Sequence, residues 1–262
     1  MTEPQIRFED GAGYERMMGV WSRSAGQIFL DWLAPKQGLS WVDVGCGNGA
    51  FTELLVERCA PAEIEGIDPS EAQLAFAQQR PAARLAKFRH GDAMALPFAD
   101  RTFDAAVMAL VIFFVPEPAK GVAEMVRVTR PGGSISAYAW DALGGGLPFE
   151  PIQVEMRAMG MTPLMPPRPE ASGLQAIRAL WEGAGLVEVE TREISVTRTY
   201  ADFEEFWTIN LESANLASLL KTKPAADVAR LKERLRARLP GDASGHITCV
   251  ARANAVKGLV PA

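Results

Sequence analysis

The residues that could do chemistry in this chain are a glycine-dense turn and three acids at regular intervals, one inside a predicted strand and two at strand ends. In Val42-Asp43-Val44-Gly45-Cys46-Gly47-Asn48-Gly49-Ala50, a short β-branched run breaks into glycines at every second position. Glycine adopts positive φ without penalty and lets bare backbone approach a ligand. Phe51 to Glu57 then reads as a helix, whose first amides offer partial positive charge to a carboxylate or another polar group. Gly45, Gly47 and Ala50 fit the G-x-G-x-x-G/A fingerprint of dinucleotide sites, while Gly45, Gly47 and Gly49 equally fit a G-x-G-x-G turn. Asp43 favours the second reading, because a carboxylate repels a pyrophosphate and attracts a ligand that carries a cation.

Asp68 ends the next predicted strand, Ile64 to Ile67, at about the 20-residue interval at which an acid meets ribose hydroxyls in nucleotide-binding βαβ units. Asp92 follows a third strand, Leu85 to His90, and precedes the apolar stretch Ala93-Met94-Ala95-Leu96. A carboxylate there can accept from the exocyclic amine of an adenine whose faces the apolar side chains enclose. Taken alone, Asp92 reads as a turn former; third in a series, it reads as a ligand contact.

These acids must be positioned by elements, and the chain supplies them in alternation. Tyr14 to Leu33 reads as a helix, ended by Pro35 and Gly38. Ser70-Glu71-Ala72-Gln73 has the form of a capping box and starts a helix that runs to about Arg80. Phe103 to Val111 is nearly all apolar, as a strand buried on both faces should be. Pro116 to Val128 has helical spacing, and Arg130-Pro131-Gly132-Gly133 turns into a fifth strand, Ser134 to Trp140. The rhythm predicts an α/β fold with a doubly wound parallel sheet, in which ligands sit beyond the carboxyl ends of the strands.

Asp141 to Glu170 breaks that rhythm with Gly144-Gly145-Gly146, six prolines and four methionines, and is expected to be an active-site cap rather than a regular element. Ser172 to Gly185 and Thr199 to Leu220 read as helical, with an alternating strand, Val187 to Val196, between them. Pro224 to Leu239 is a basic amphipathic helix, read as a solvated face over a core stripe rather than a membrane or RNA surface. His246 to Ala253 is a last strand. The expected organisation is a ligand-binding core with its leading helix at 1–140, then 141–262 as the remainder of the same fold, with cap insertions around 141–172 and 199–240.

Composition narrows the function classes. At 262 residues with a net charge of −5, the chain has no electrostatic footprint for nucleic acid. Its first residues, MTEPQIRFEDG, are unlike a signal peptide, and no apolar run is long enough for a bilayer, so no membrane insertion and a cytoplasmic setting are expected. Cys46, Cys59 and Cys249 form neither a disulfide framework nor a metal site.

In order, VDVGCGNGAF, EGIDPS, GDAMALPF, FDAAVMALVIFFVPEP and RPGG resemble the class I S-adenosylmethionine (SAM)-dependent methyltransferases. The likeness is to the group holding the ubiquinone and menaquinone C-methyltransferases and many small-molecule methyltransferases, firmly over Tyr14 to Trp140. The resemblance implies a Rossmann-like, mostly parallel seven-stranded sheet, the last strand antiparallel between the fifth and sixth. It implies SAM as cofactor. Gly45, Cys46 and Gly47 would line its methionine portion, with Asp43 ordering the turn. Asp68 would take the ribose, Pro69 and Ser70 the flank of the adenine, and Asp92 and Ala93 its edge. Leu110 would approach the amino-acid end, and Tyr14, Trp21 and Arg23 would belong to the leading helix that closes over the cofactor.

The expected activity is methyl transfer to a carbon or oxygen of a small, apolar acceptor, achieved mainly by positioning, since a sulfonium activates its own methyl group. Phe113 and Phe114, where many relatives carry a histidine, are expected to form an apolar wall under the methyl group. His90, Tyr138, Asp141 and Tyr200 are candidate bases, none of them assigned as catalytic. The competing readings are a nicotinamide-dependent oxidoreductase and a non-catalytic SAM-binding protein.

Overall fold

The computed structural model describes residues 15–211 and 214–262. A π-helical turn, Glu15–Gly19, leads into α1 (Val20–Leu33), followed by β1 (Ser40–Val44), α2 (Ala50–Cys59), β2 (Glu63–Asp68), α3 (Glu71–Ala77) and β3 (Ala86–His90). Then come β4 (Phe103–Ala109), α4 (Pro118–Val128), β5 (Thr129–Trp140), α5 (Glu150–Ala158), α6 (Leu174–Gly183) and β6 (Val187–Tyr200). The chain continues through α7 (Phe203–Leu211), α8 (Ala214–Lys221), α9 (Ala225–Arg238) and β7 (Ile247–Leu259).

Seven strands form one sheet in the order β3-β2-β1-β4-β5-β7-β6. The first five pair in parallel, and β7 runs antiparallel between β5 and β6. This is the doubly wound, mostly parallel seven-stranded sheet that the sequence predicts. The order reverses between β1 and β4, which opens a crevice at the carboxyl ends of those strands. Residues of β1 and β4 such as Val42, Val44, Ala106 and Val107 are fully buried, because helices cover both faces of the sheet. Trp181 of α6 closes one face by donating its indole N–H to the Ile135 carbonyl of β5 at 3.0 Å.

The structure corrects several boundaries. The stretch 141–170 is not without regular structure: α5 lies inside it, with Pro151 in its first turn, where a missing amide costs nothing. Thr199 and Tyr200 end β6 rather than start a helix, and the described residues after them are helical over α7 and α8. Leu85 lies outside β3 and is exposed.

The segment between β5 and α6 is fastened to its surroundings. Gln153 clamps Leu164 through both backbone groups, its amide nitrogen donating to the carbonyl and its oxygen accepting from the N–H at 3.1 Å. Asn254 of β7 and the Ala142 amide both bond Ser172. Glu155 of α5 is buried and takes Arg234 at 2.6 Å and Arg238 at 2.5 Å from α9. These pairs hold the Glu155 carboxyl below the usual carboxylate range, Arg238 most strongly. Glu204 of α7 binds Lys232 at 2.6 Å and also Arg236. Four basic residues of α9 are thereby engaged within the protein, and Leu231 and Leu235 form its buried stripe.

Candidate functional site

A cavity of about 270 Å³ lies at the carboxyl ends of β1, β2 and β4. The turn after β1 forms its floor. Gly45, Gly47 and Gly49 all have positive φ, at 78°, 53° and 77°, but for different physical reasons. A Cβ on Gly45 would lie 2.5 Å from both methyl carbons of Val111, so packing as well as backbone conformation requires glycine. A Cβ on Gly47 would meet nothing within 4 Å, so here the missing side chain leaves the backbone open to the cavity. The Gly45 and Cys46 amides are tied to the Ile67 carbonyl at 2.7 and 2.9 Å. Arg80 braces the turn from outside, donating to the Asn48 carbonyl at 2.6 Å and pairing with Glu53 at 2.9 Å.

Asp68 stands at the centre of the lining. Its Oδ2 accepts from the Gly47 amide at 2.9 Å and its Oδ1 from the Ser70 amide at 2.8 Å. One carboxylate therefore couples the glycine turn to the start of α3, where Ser70 caps the helix. Burial pushes the Asp68 carboxyl up, with the Ser70 and Gly47 amides opposing. Asp43 is fully buried beneath the turn and does not line the cavity. Thr52 donates to it at 2.6 Å, and burial pushes its carboxyl up to about 7.

Of the residues singled out in the sequence, Gly45, Cys46, Gly47, Asp68, Pro69, Asp92, Ala93, Leu110 and Arg23 line this one cavity. Tyr14 lies outside the described residues. Arg23 reaches the lining from α1 while its guanidinium pairs with Glu57 at 2.7 Å. Asp92 is exposed and accepts from the Met94 amide at 2.8 Å, so it forms the local turn and borders the cavity at once. Leu110 is held at φ +63, and its amide donates to the Tyr138 carbonyl at 2.7 Å. A bulky residue in the left-handed region stores strain, which clusters where backbone is aimed at a ligand. Cys46 is buried and its thiol is pushed well up by burial, with Asp43 and Asp68 adding to the effect, so it is no nucleophile.

Phe114 lines the cavity, whereas Phe113 does not: Phe113 turns into the core, and its carbonyl accepts from the Arg168 amide at 3.0 Å. Two adjacent aromatics in a 3₁₀ turn cannot face the same way. Among the four candidate bases only Tyr138 borders the cavity. Its ring packs on Phe29 at 4.7 Å and Phe51 at 5.7 Å. His90 is exposed at the end of β3. Asp141 accepts from Gly144 and pairs with Arg252 at 3.4 Å, and Tyr200 is buried and pushed up by desolvation. Ser22, Phe51 and Leu54 also line the cavity and were not singled out in the sequence; the i, i+3 spacing of Phe51 and Leu54 behind the glycine turn is the signal that marks them. Among the described residues no group of acids, cysteines and histidines could hold a metal ion, and no helix is long and apolar enough to cross a membrane.

Comparison with known proteins agrees with this geometry. A family described as "Methyltransferase domain" matches residues 42–137. A demethylmenaquinone methyltransferase of Desulfitobacterium hafniense is 37% identical over 120 residues, 44% of this chain and 46% of that protein. The matched stretch thus spans about half the length of that relative. The YcgJ protein of Bacillus subtilis has the same fold, with a TM-score of 0.60 at 15% identity, over 92% of this chain and 99% of that one. Phosphoethanolamine N-methyltransferase 2 of Haemonchus contortus, solved with phosphomonomethylethanolamine and S-adenosylhomocysteine, aligns with a TM-score of 0.59 at 17% identity, over 95% of this chain and 56% of that one. Residues 42–137, the stretch that builds the glycine turn, the acidic strand ends and Leu110, are thus the part of this chain that is similar to the methyltransferase domain family.

Proposed function

We propose that the protein transfers a methyl group from SAM to a carbon or oxygen of a small, largely apolar acceptor. The observation that supports this reading is the convergence of Gly47, Asp68, Asp92 and Leu110, from four strand ends, on one cavity. The cofactor fits that lining. Gly47 leaves room for close backbone approach. Each Asp68 oxygen accepts one amide and keeps capacity for a ribose hydroxyl. Ile67, Ala93 and Val115 offer apolar surface for an adenine.

When bound, SAM supplies a methyl group already activated on a sulfonium. The chain's own residues bind, orient and exclude water. Asp68 takes the ribose, and Asp92 and Ala93 the adenine edge. Gly45, Cys46 and Gly47 border the methionine portion, with Leu110 at its amino-acid end and Arg23 entering from α1. Phe51, Leu54, Phe114 and Tyr138 form the apolar wall on which an acceptor is held in line, and the rings of Phe51, Phe114 and Tyr138 favour a neighbouring cation. A quinol-like acceptor is the first to try, because the demethylmenaquinone methyltransferase of D. hafniense is 37% identical over 120 residues. The segments 141–172 and 199–240 are the proposed acceptor-side cap, with Arg168 of the first already bonded to the turn that carries Phe114.

The test is calorimetry with SAM, S-adenosylhomocysteine and NAD, followed by labelled-methyl transfer to hydroquinones, phenols and RNA. Binding of both adenosyl ligands with methylation of a small acceptor is expected. Preference for NAD, or transfer to RNA alone, overturns the reading.

A further inference from the structure

Asp43 sits in β1 between Gly66 of β2 and Val107 of β4, with no exposure to solvent. Its Oδ2 accepts from the Thr52 hydroxyl of α2 at 2.6 Å. Its Oδ1 is buried and has no hydrogen-bond partner among the described residues. The ionisable groups around it are a second carboxylate, Asp68 of β2, and the Cys46 thiol of the turn. His90 of β3 pairs in register with Asp68 and acts on that residue, and among the described residues no lysine or arginine is found to act on Asp43. An ionised carboxylate with one bare oxygen and no cation is much more costly in such a place than the neutral acid.

A cation does arrive with the proposed ligand. Asp68 lines the cavity and also lies within the electrostatic reach of Asp43, so a cation bound along that wall falls in the field of both acids, through protein rather than water. Resting on the function proposed above, we infer that Asp43 is a proton-linked selectivity residue, protonated in the ligand-free protein and ionised when a cationic cofactor binds over the turn. The carboxyl O–H bond breaks, the proton passes to buffer, and the carboxylate stays buried beneath the turn, acting on the cation through the intervening protein. Methyl transfer removes the sulfonium charge, and the carboxyl takes its proton back. Charged cofactor is thereby favoured over neutral product. The direction agrees with burial pushing this carboxyl up to about 7, with Asp68 adding and Thr52 opposing.

The experiment is titration calorimetry of the full chain with SAM and with S-adenosylhomocysteine, in buffers of different ionisation enthalpy. Proton release near pH 7 is expected on binding SAM and less on binding S-adenosylhomocysteine. SAM affinity should rise by up to about tenfold per pH unit below pH 7 and level off above it. In Asp43→Asn, folded by circular dichroism, release and pH dependence should both vanish. Carboxyl ¹³C NMR of the ligand-free protein, assigned with the same variant, should show Asp43 titrating near neutrality. SAM binding without proton release, equal release with both ligands, or an Asp43 carboxyl that titrates in the ordinary acidic range overturns the inference and leaves the proposed function standing. Failure of the wild-type protein to bind SAM overturns both.

Discussion

The turn at the cavity and the outer helices beyond Trp140 are fixed by different kinds of contact. The half ending at Trp140 is built by backbone conformation and apolar packing: glycines at positive φ, a strained Leu110, and strands of β-branched and small residues buried on both faces. Its polar contacts near the cavity run largely from side chain to backbone, as with Asp68 bridging Gly47 and Ser70. The half after Trp140 is fastened by side chains that reach between elements, with Glu155 gripping α9 and Glu204 gripping it a second time. The lesson is that precision near the ligand comes from groups with little freedom to move, whereas the outer helices are joined by contacts that can exchange with water. The family match follows the same division, stopping at residue 137.

The comparison breaks hardest at the turn. Gly45→Ala should abolish binding of S-adenosylhomocysteine, by more than about 100-fold, and lower the melting temperature, because the added methyl meets Val111 and the φ of 78° is strained for alanine. Gly47→Ala adds a methyl to open space, so it should weaken binding while stability changes by only about 1 kcal/mol. Equal loss of stability in both variants would show that the turn is held by something other than packing on Val111.

A buried acid with a raised pKa stabilises the fold least when ionised. Asp43 contributes fully below its unfolded pKa near 4, and that contribution is lost as pH rises toward about 7. Asp43→Asn should therefore melt higher than wild type at pH 8, by several degrees, with the gap closing toward pH 5. A gap that widens on acidification would contradict the burial argument.

Asp68→Ala should weaken SAM and S-adenosylhomocysteine by about 10- to 150-fold, equivalent to about 1.5–3 kcal/mol for bonds to a charged acceptor. Unchanged affinity in a folded variant would remove Asp68 from the ribose. On the other side, Glu155→Gln should cost about 1–2 kcal/mol, less than a fully buried pair, because Arg234 and Arg238 are partly exposed and can rehydrate. Hydrogen exchange should speed up in α9 and α5 while S-adenosylhomocysteine affinity is unchanged. The smallest effect is expected at His90, which is exposed and off the cavity; His90→Ala should bind SAM as wild type does and lower turnover by far less than the ~10²-fold typical of losing a general base.

Much of the first half was legible in the sequence because its rules are local. Strand periodicity, the glycine spacing and an acid at each strand end are each visible within a few residues, and together they fix what converges beyond the sheet. Less was legible where tertiary contact decides. Nothing local separates Phe113 from Phe114, since the way the 3₁₀ turn packs against Arg168 selects which ring faces the cavity. The helix α5 was hidden by Gly144 to Gly146 and by Pro151, although proline is tolerated in a first turn. Thr199 and Tyr200 belong to β6 because Thr248 and Ile247 of a distant strand pair with them. The core stripe of α9 was legible in its spacing, but the partners of its basic residues, Glu155 and Glu204, lie far away in the chain.

The place of β7 carries a further consequence, for the order in which the molecule can be made. The last strand in sequence lies inside the sheet, pairing with β5 on one side and with β6 on the other. During synthesis β6 emerges first and has no neighbour to dock on until β7 has followed it out. The cofactor-facing strands β1 to β5 need nothing that comes later to complete their parallel ladder, so they can assemble while the outer strands wait. Joining the halves is then a late event, set by antiparallel pairing that spans more than a hundred residues between Trp140 and Ala253, and it is the slow, non-local part of folding.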